Sequence, residues 1–434
     1  MPNKFHIALT SNSTLKERFV WLLYLGIVFF LLYGSVNQYA LIIQTNTSFF
    51  MNWEKSIPFI ESFIIPYMSS DILFVIAFLL HQTRISLKVL ALRSFTSIVV
   101  SVLVFAVFPL KFSFEKPIVD NFLFEILEID LPYNQMPSLH VSLAVILWFS
   151  MKNNIQSKLI KIVLFIWLVL VVLSTLLVYQ HHFIDVPTGF LLGILIVYLI
   201  NEKKETYFTK SFTSPRNIKI ALYYLFFSIV FMVLSFKLNS LICLYLFLSI
   251  FFLSAIYAFG LNDLLVTKNA KANIFQKILF LPYFVGSHLS WIYYKKKIPF
   301  ISNYNENIYF GRQADKIEYK KLKKIGITKI INLSPELQFN QTDIYQKRYN
   351  FLDLTIQAPE NILEVIKEIE KSEDKIYVHC KLGMARTILV ISAYMLYQGK
   401  SFNDIADFLE EKRPLYVKSK YMKINLDLFK ELLL

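Results

Sequence analysis

Long apolar runs fill the first 260 positions of this chain, and they restrict its fold more than any other feature of the sequence. They lie near 19–43, 64–81, 89–110, 137–151, 160–180, 184–201, 217–236 and 240–260, the second and fourth being shorter or more polar than the rest. Runs of about 18–25 apolar residues are long enough to cross a bilayer as helices. A helix is suited to that medium because it satisfies its backbone N–H and C=O groups within the segment. The chain of 434 residues is 56% apolar and contains 41 Phe, with the excess before residue 300. The first run is too long for a cleavable leader and lacks a small-residue cleavage site, so it reads as a retained span.

The basic residues follow these runs. With the N-terminus inside, the inner loops hold Lys4, Lys16 and Arg18, then Arg84, Lys88 and Arg93, then Lys152, Lys158 and Lys161. Lys203, Lys204, Lys210, Arg216 and Lys219 follow, and the last group is Lys268, Lys271 and Lys277. The outer loops hold Lys55, Lys111, Lys116 and Lys237, a ratio of 17 to 4 that sets the orientation. Much of the formal net charge of +14 is thus an orientation signal and an attraction to anionic lipid heads. A nucleic-acid partner is not expected, because the cations alternate with spans and form no single patch.

The stretch 276–300 has two readings. As a ninth span it would export Lys295, Lys296 and Lys297 and everything after them. As an interfacial segment, with Trp291, Tyr293 and Tyr294 at headgroup level, it keeps the remainder inside. The second is preferred, since a thiol at Cys380 without a partner suits a reducing compartment. The other cysteine, Cys243, lies within an expected span.

Two polar clusters border the spans, where ionisable groups are expensive and usually functional. Met136-Pro137-Ser138-Leu139-His140 opens the fourth span, and Tyr179-Gln180-His181-His182-Phe183-Ile184-Asp185 forms the turn between the fifth and sixth. The topology puts both on the outer face at similar depth. Two imidazoles and a carboxylate suit phosphoryl transfer: one imidazole attacks phosphorus, the other protonates the leaving oxygen, and the carboxylate orients the nucleophile. Zinc ligation is the alternative. The Ser beside the first His and the four-residue step from His181 to Asp185 fit transfer better, so no metal or other cofactor is expected.

The most specific motif lies near the C-terminus: His379-Cys380-Lys381-Leu382-Gly383-Met384-Ala385-Arg386-Thr387. Lys375 to Val378 reads as a buried strand and Ile388 to Tyr397 as an apolar helix. A strand–loop–helix turn points loop N–H groups and a helix N-terminus at one spot, a cradle for an anion. Arg386 supplies a bidentate fork for phosphate oxygens, and Cys380 supplies a thiolate nucleophile. Lys381 and Gly383 belong to the same cradle. The leaving oxygen also needs an acid; Asp353 stands at an expected strand end, and Glu360 competes for the role.

The loop resembles the HCxxGxxR[ST] signature of protein tyrosine and dual-specificity phosphatases, with every fixed position filled. The resemblance reaches upstream through Asn307-Ile308-Tyr309-Phe310-Gly311-Arg312 and the run from Leu322 to Leu333, and downstream to Lys412-Arg413-Pro414. It implies that Cys380 forms a phosphocysteine, that Arg386 binds the phosphoryl group, and that Thr387 donates a hydrogen bond to the departing sulfur. Asp353, 27 positions before Cys380, is close to the family's general acid.

Residues near 70–200 resemble the type 2 phosphatidic acid phosphatase superfamily. Pro137-Ser138-Leu139-His140 is similar to its PSGH motif, and Ser174 through Asp185 to its SRx5HxxxD motif, with Gly189 following. This implies His181 as nucleophile, His140 as general acid, Asp185 as orienting carboxylate and Ser138 as a phosphate contact. Thr175 stands where the family has an arginine, Leu139 where it has a glycine, and the Lys-x6-Arg-Pro motif is reduced to Lys116-Pro117. The PSLH and HHxxD forms are similar to the branch with inositolphosphoceramide synthases, which makes transfer from a headgroup diester an alternative to monoester hydrolysis.

The expected architecture is an all-α polytopic membrane domain joined to a C-terminal α/β cysteine-phosphatase domain. Its segments are 1–63 with the first span, 64–201 as the phosphatidic-acid-phosphatase-like domain, 202–275 as an additional span pair, 276–300 as an interfacial linker, and 301–434 as the dual-specificity phosphatase domain. The expected partners are a bilayer, a phospholipid or lipid-linked phosphate, and a phosphoprotein or phosphoinositide. The alternative is a tethered protein phosphatase whose membrane half is only an anchor.

Overall fold

The computed structural model describes residues 11–128, 130–202, 206–266, 273–336, 344–416 and 418–434. Lys4, Lys203, Lys204, Lys268 and Lys271 of the orientation pattern lie outside them. The chain divides into two compact units, one reaching up to Lys210 and one spanning Ser211–Leu434.

The first unit is helical. Its main helices are α1 (Leu15–Ile42), α2 (Ile64–Leu80), α3 (Arg84–Val107), α4 (Leu139–Met151), α5 (Lys158–Leu177) and α6 (Asp185–Leu199). Helix α1 opens on a capping box: Thr14 Oγ1 accepts the Glu17 N–H at 3.2 Å and the Glu17 carboxylate accepts the Thr14 N–H at 2.9 Å. These bonds satisfy two donors that a helix start otherwise leaves unpaired. Helix α4 lies innermost, with Val141, Ser142, Ile146 and Leu147 all buried. It packs against α3, α5 and α6.

Among the described residues, four helices of this unit are long and apolar enough to cross a membrane: α1, α3, α5, and α2 with its preceding turn. The expected spans 137–151 and 184–201 are shorter than the sequence suggests, being helices of 13 and 15 residues. The cause is local. Ser138 caps α4 from outside the helix, and the residues after Leu177 turn to place their side chains before α6 begins at Asp185. Apolar composition runs through these turns, so it overstates the helix.

The second unit contains the α-hairpin of α7 (Pro215–Leu238) and α8 (Leu241–Phe259), both also of crossing length. Ser254 Oγ donates to the Ala221 carbonyl at 2.8 Å between them. The stretch expected as a linker or ninth span forms a short helix, Ile274–Leu279, followed by the 14-residue α9 (Leu281–Tyr294). Neither reaches crossing length.

The α/β part follows with β1 (Ile301–Asn303), β2 (Ile308–Arg312), α10 (Lys316–Ile325), β3 (Lys329–Asn332), β4 (Tyr345–Arg348), α11 (Pro359–Glu370), β5 (Ile376–Cys380), α12 (Arg386–Tyr397), α13 (Phe402–Lys412) and α14 (Lys420–Leu433). The five strands run in the order β1-β2-β5-β3-β4, with β1 antiparallel to β2 and the other pairings parallel. Strand β5 is central and buried at all five residues, as a parallel strand covered on both faces must be. Phe310, Ile331 and Val378 pack with Ile366, Ile391 and Phe429 on one face, and Ile330 and Tyr377 pack with Leu322 on the other. The fold is the expected helical part plus an α/β domain. Helices α7 to α9 belong to the same compact unit as the sheet.

A Cβ on Gly189 would fall 2.4 Å from the Ser138 carbonyl oxygen and 3.0 Å from Val141 Cβ. Gly189→Ala is therefore expected to push α6 off α4 and cost about 1–3 kcal/mol. A thermal melt in detergent measures this, and an unchanged midpoint would mean that the two helices separate without penalty.

Candidate active sites

Strand β5 ends at Cys380, and the chain turns through five residues before α12 starts at Arg386. The turn needs Gly383, whose φ is +67° and whose missing Cβ would otherwise lie 2.5 Å from the Gly311 backbone. The Gly383 N–H donates to Cys380 Sγ at 3.2 Å, so the loop already directs a donor at the sulfur. Cys380 is 2% exposed. Thr387 does not donate to the sulfur; its hydroxyl, fully buried beneath β2, donates to the Gly311 carbonyl at 3.2 Å. Thr387 thus ties α12 to β2.

Arg386 is 4% exposed and heavily partnered. Its Nη1 and Nη2 donate to the two Glu336 carboxylate oxygens at 3.0 and 2.8 Å, and Nη1 also donates to the Phe351 carbonyl at 3.0 Å. Asp353 Oδ1 lies 3.2 Å from Arg386 Nε. Burial raises the Asp353 carboxyl above its ordinary value, and the Arg386 charge offsets only part of this. A raised carboxyl suits an acid that must hold a proton. The next residue, Leu354, has φ +58°, a conformation that a branched side chain rarely adopts. Its carbonyl accepts from Arg216 Nε, at the start of α7, at 3.1 Å. Lys381 is buried in the loop, with its ammonium lowered by that burial.

Glu336 was not legible in the sequence. It stands 50 residues before Arg386, after β3, with no local pattern around it. Burial favours its neutral form, but the Arg386 charge prevails and holds the carboxyl below its ordinary value. Tyr283 of α9 donates to Glu336 Oε1 at 3.3 Å.

In the helical unit, the turn before α6 brings the second cluster together. His181 Nδ1 lies 3.3 Å from Asp185 Oδ2, and the same oxygen accepts the His182 N–H at 2.9 Å. The His181 ring centroid is 6.1 Å from that of His140 at the start of α4. The Ser138 N–H donates to the Asp185 carbonyl at 3.0 Å, while its hydroxyl accepts the Val141 N–H at 3.5 Å as the α4 cap. Thr175 is fully buried, and its carbonyl accepts the N–H groups of Gln180 and His181.

His182 serves a different purpose from His181. Its ring stacks on Phe50 and Phe112 at 5.2 and 4.5 Å between centroids. Nε2 accepts the Ser113 N–H at 3.3 Å, and Nδ1 lies 3.4 Å from the buried Glu54 carboxylate. It fastens loops around the cluster.

Asp130, also missed from sequence, accepts from Tyr33 at 3.0 Å and from Asn37 at 2.9 Å, and lies within electrostatic reach of both His181 and Lys116. Lys116 thus shares the neighbourhood of His181. Burial lowers its ammonium to about 8, against the pull of Asp130 and Glu128. Among the described residues no three His, Cys, Asp or Glu side chains converge as a metal shell.

Family comparison separates the two clusters cleanly. The PAP2 superfamily model matches residues 90–208, and the dual specificity phosphatase catalytic domain model matches residues 308–430. The chain joins a PAP2-superfamily domain to a dual-specificity phosphatase domain. The dual specificity protein phosphatase Mpk3 of Drosophila melanogaster is 27% identical over 134 residues, 26% of this chain and 31% of that one. Dual specificity protein phosphatase 9 of Homo sapiens is 31% identical over 116 residues, 25% of this chain and 30% of that one. The chain therefore spans about three-tenths of the length of these curated relatives. The solved structure of Tk-PTP in the active form is 21% identical, with 31% of this chain and 97% of that one covered and a TM-score of 0.29.

In the dual-specificity phosphatase domain, Glu336→Ala is expected to leave a buried guanidinium short of its main counter-charge and cost about 3–5 kcal/mol. Denaturation of the full chain measures this; a loss under 1 kcal/mol would mean that Asp353 suffices. In the PAP2 domain, Lys116 loses its charge as pH rises through about 8. In a Cys380→Ser background, turnover of a lipid phosphate is expected to decline above that pH, and Lys116→Arg to shift the decline upward, because a guanidinium stays charged. Identical profiles would remove Lys116 from substrate binding.

Proposed function

We propose that this chain is a membrane-bound bifunctional phosphatase, with a cysteine-dependent phosphatase on the cytoplasmic side and a histidine-dependent lipid phosphatase or phosphotransferase on the outer face. One observation carries the reading at the first site: the Gly383 N–H points at Cys380 Sγ while the forked Arg386 is locked beside it. The Cys380 thiolate attacks phosphorus and the P–O bond to the leaving alcohol breaks. Asp353 gives that oxygen its proton. Water then attacks the phosphocysteine, the P–S bond breaks, and inorganic phosphate leaves as the thiolate is restored. At the second site His181, oriented by Asp185 through Nδ1, attacks phosphorus as the P–O bond breaks and His140 protonates the leaving oxygen; water or an acceptor hydroxyl then attacks phosphorus, the P–N bond breaks and His181 is restored. Lys116 binds phosphate oxygens. The 17-to-4 distribution of basic residues supports the sidedness.

A second reading keeps only the cysteine site active, with the helical unit as an anchor. It is favoured by Thr175 in the place of the expected arginine and by Asp130, a carboxylate near His181.

Full-length protein separates the two. Cys380→Ser should lower cysteine-site turnover by roughly a thousandfold or more. Arg386→Lys should lower it about a hundredfold despite keeping the charge. His181→Ala should remove an activity on lipid phosphates or headgroup diesters that Cys380→Ser leaves intact, and Asp185→Asn should mimic it in part. If Cys380→Ser alone abolishes every activity, the anchor reading holds. A reporter after Leu434 should be cytoplasmic and a tag in the 111–132 loop accessible from outside; the reverse would overturn the sidedness.

A further inference from the structure

The cysteine site does not end at its own domain. A cavity of about 430 Å³ is lined by Arg386, Asp353, Glu336, Lys381 and Leu382 of the phosphatase domain, and the rest of its wall comes from α7, α8 and α9. That volume lies in the range of small-molecule sites. Phe227 and Phe231 of α7 and Leu253 of α8 give the wall its apolar character. Both α7 and α8 are long and apolar enough to cross a membrane. A guanidinium and crossing-length apolar helices in one wall form an amphiphilic site.

Hydrogen bonds fix this arrangement on several sides. Trp291 of α9 donates to the Gln313 carbonyl at 3.0 Å, and the Gln313 N–H in turn donates to the carbonyl of the loop residue Lys381 at 3.3 Å. Arg216 of α7 holds the Leu354 carbonyl next to Asp353. Asn350 donates to Asp263 at 2.9 Å, just beyond α8. Tyr283 of α9 bonds the very carboxylate that holds Arg386. The helices are therefore bound to residues next to the reacting groups and, through Tyr283, to the carboxylate that holds Arg386.

We infer that the cysteine site hydrolyses a lipid phosphomonoester, with its phosphate in the Cys380–Arg386 loop and its hydrocarbon chain between α7, α8 and α9. This rests on the cysteine-phosphatase reading above and names the substrate class of that site. A hydrocarbon chain gains from apolar burial in proportion to the area covered. Phe227, Phe231, Ile250 and Leu253 offer that cover, beside the hydroxyls of Ser249, Ser287 and Ser290. The bond changes are those already given: Cys380 Sγ joins phosphorus, the lipid oxygen leaves with the Asp353 proton, and water releases phosphate from sulfur.

Gly286 of α9 supplies the test. It lines the cavity, and a Cβ built on it meets nothing within 4 Å, so a larger side chain enters the open space. Glycine is also the weaker helix former, so substitution does not work against α9. The experiment uses full-length His181→Ala protein in mixed micelles, so that only the cysteine site is measured. The probes are dioleoyl and dihexanoyl forms of phosphatidic acid and of a phosphatidylinositol monophosphate, with a phosphotyrosine peptide. For at least one headgroup, kcat/KM should be tenfold or more higher for the long-chain than for the short-chain form, and higher than for the peptide. Gly286→Phe should lower the long-to-short ratio at least tenfold. Phe227→Ala, at a half-exposed position, should lower it in the same direction. A ratio near one in the parent, a ratio unmoved by both variants, or a preference for the peptide overturns the inference while leaving a Cys380-dependent phosphatase standing. If Cys380→Ser changes no turnover on any probe, the cysteine-phosphatase reading fails instead.

Discussion

Arg386 brings a permanent positive charge into a site where 4% of its surface reaches solvent, and a charge so placed must be met by the protein. Much of the neighbouring structure answers that demand. Glu336 takes both terminal nitrogens, the Phe351 carbonyl takes a second bond from Nη1, and Asp353 stands against Nε. Fixing the guanidinium fixes the first turn of α12, which Thr387 ties to β2. That turn limits the loop in which Gly383 approaches Gly311 and aims its N–H at the sulfur. The carboxylates that neutralise the fork are also the groups an incoming phosphate must share it with.

The histidine cluster answers a similar requirement with a carboxylate. Asp185 accepts the His182 N–H and faces His181 Nδ1 through one oxygen, while its backbone carbonyl receives the Ser138 N–H. One residue thereby joins the starts of α4 and α6. The close contact of those helices at Gly189 belongs to the same junction. Preorganisation at this site is a property of two short helices held side by side, with their starts joined by one side chain and one peptide unit.

The legible parts of this molecule were those encoded locally. The phosphate loop is nine consecutive residues whose strand and helix flanks are continuous, so its turn and the placing of its cysteine and its arginine follow from sequence order. His181 and Asp185 are four apart, and His140 joins them because crossing helices alternate direction. Glu336 and Asp130 were hidden because neither sits in a motif; each is brought to its site by tertiary packing from a distant segment. The lengths of α4 and α6 were overstated because hydropathy does not register where a polar turn interrupts an apolar run. That α7 to α9 wall the catalytic cavity was beyond any pattern, since it depends on which faces of those helices meet the sheet domain.

The hydrogen bond from Arg216 to the Leu354 carbonyl has a mechanical meaning. Leu354 is held at a positive φ, so the peptide on either side of it has few alternative conformations. A displacement of the first turn of α7 draws on that carbonyl and, one residue away, on the Asp353 carboxyl. The inclination of a long helix thus bears on the position of Asp353, the acid proposed for the cysteine site.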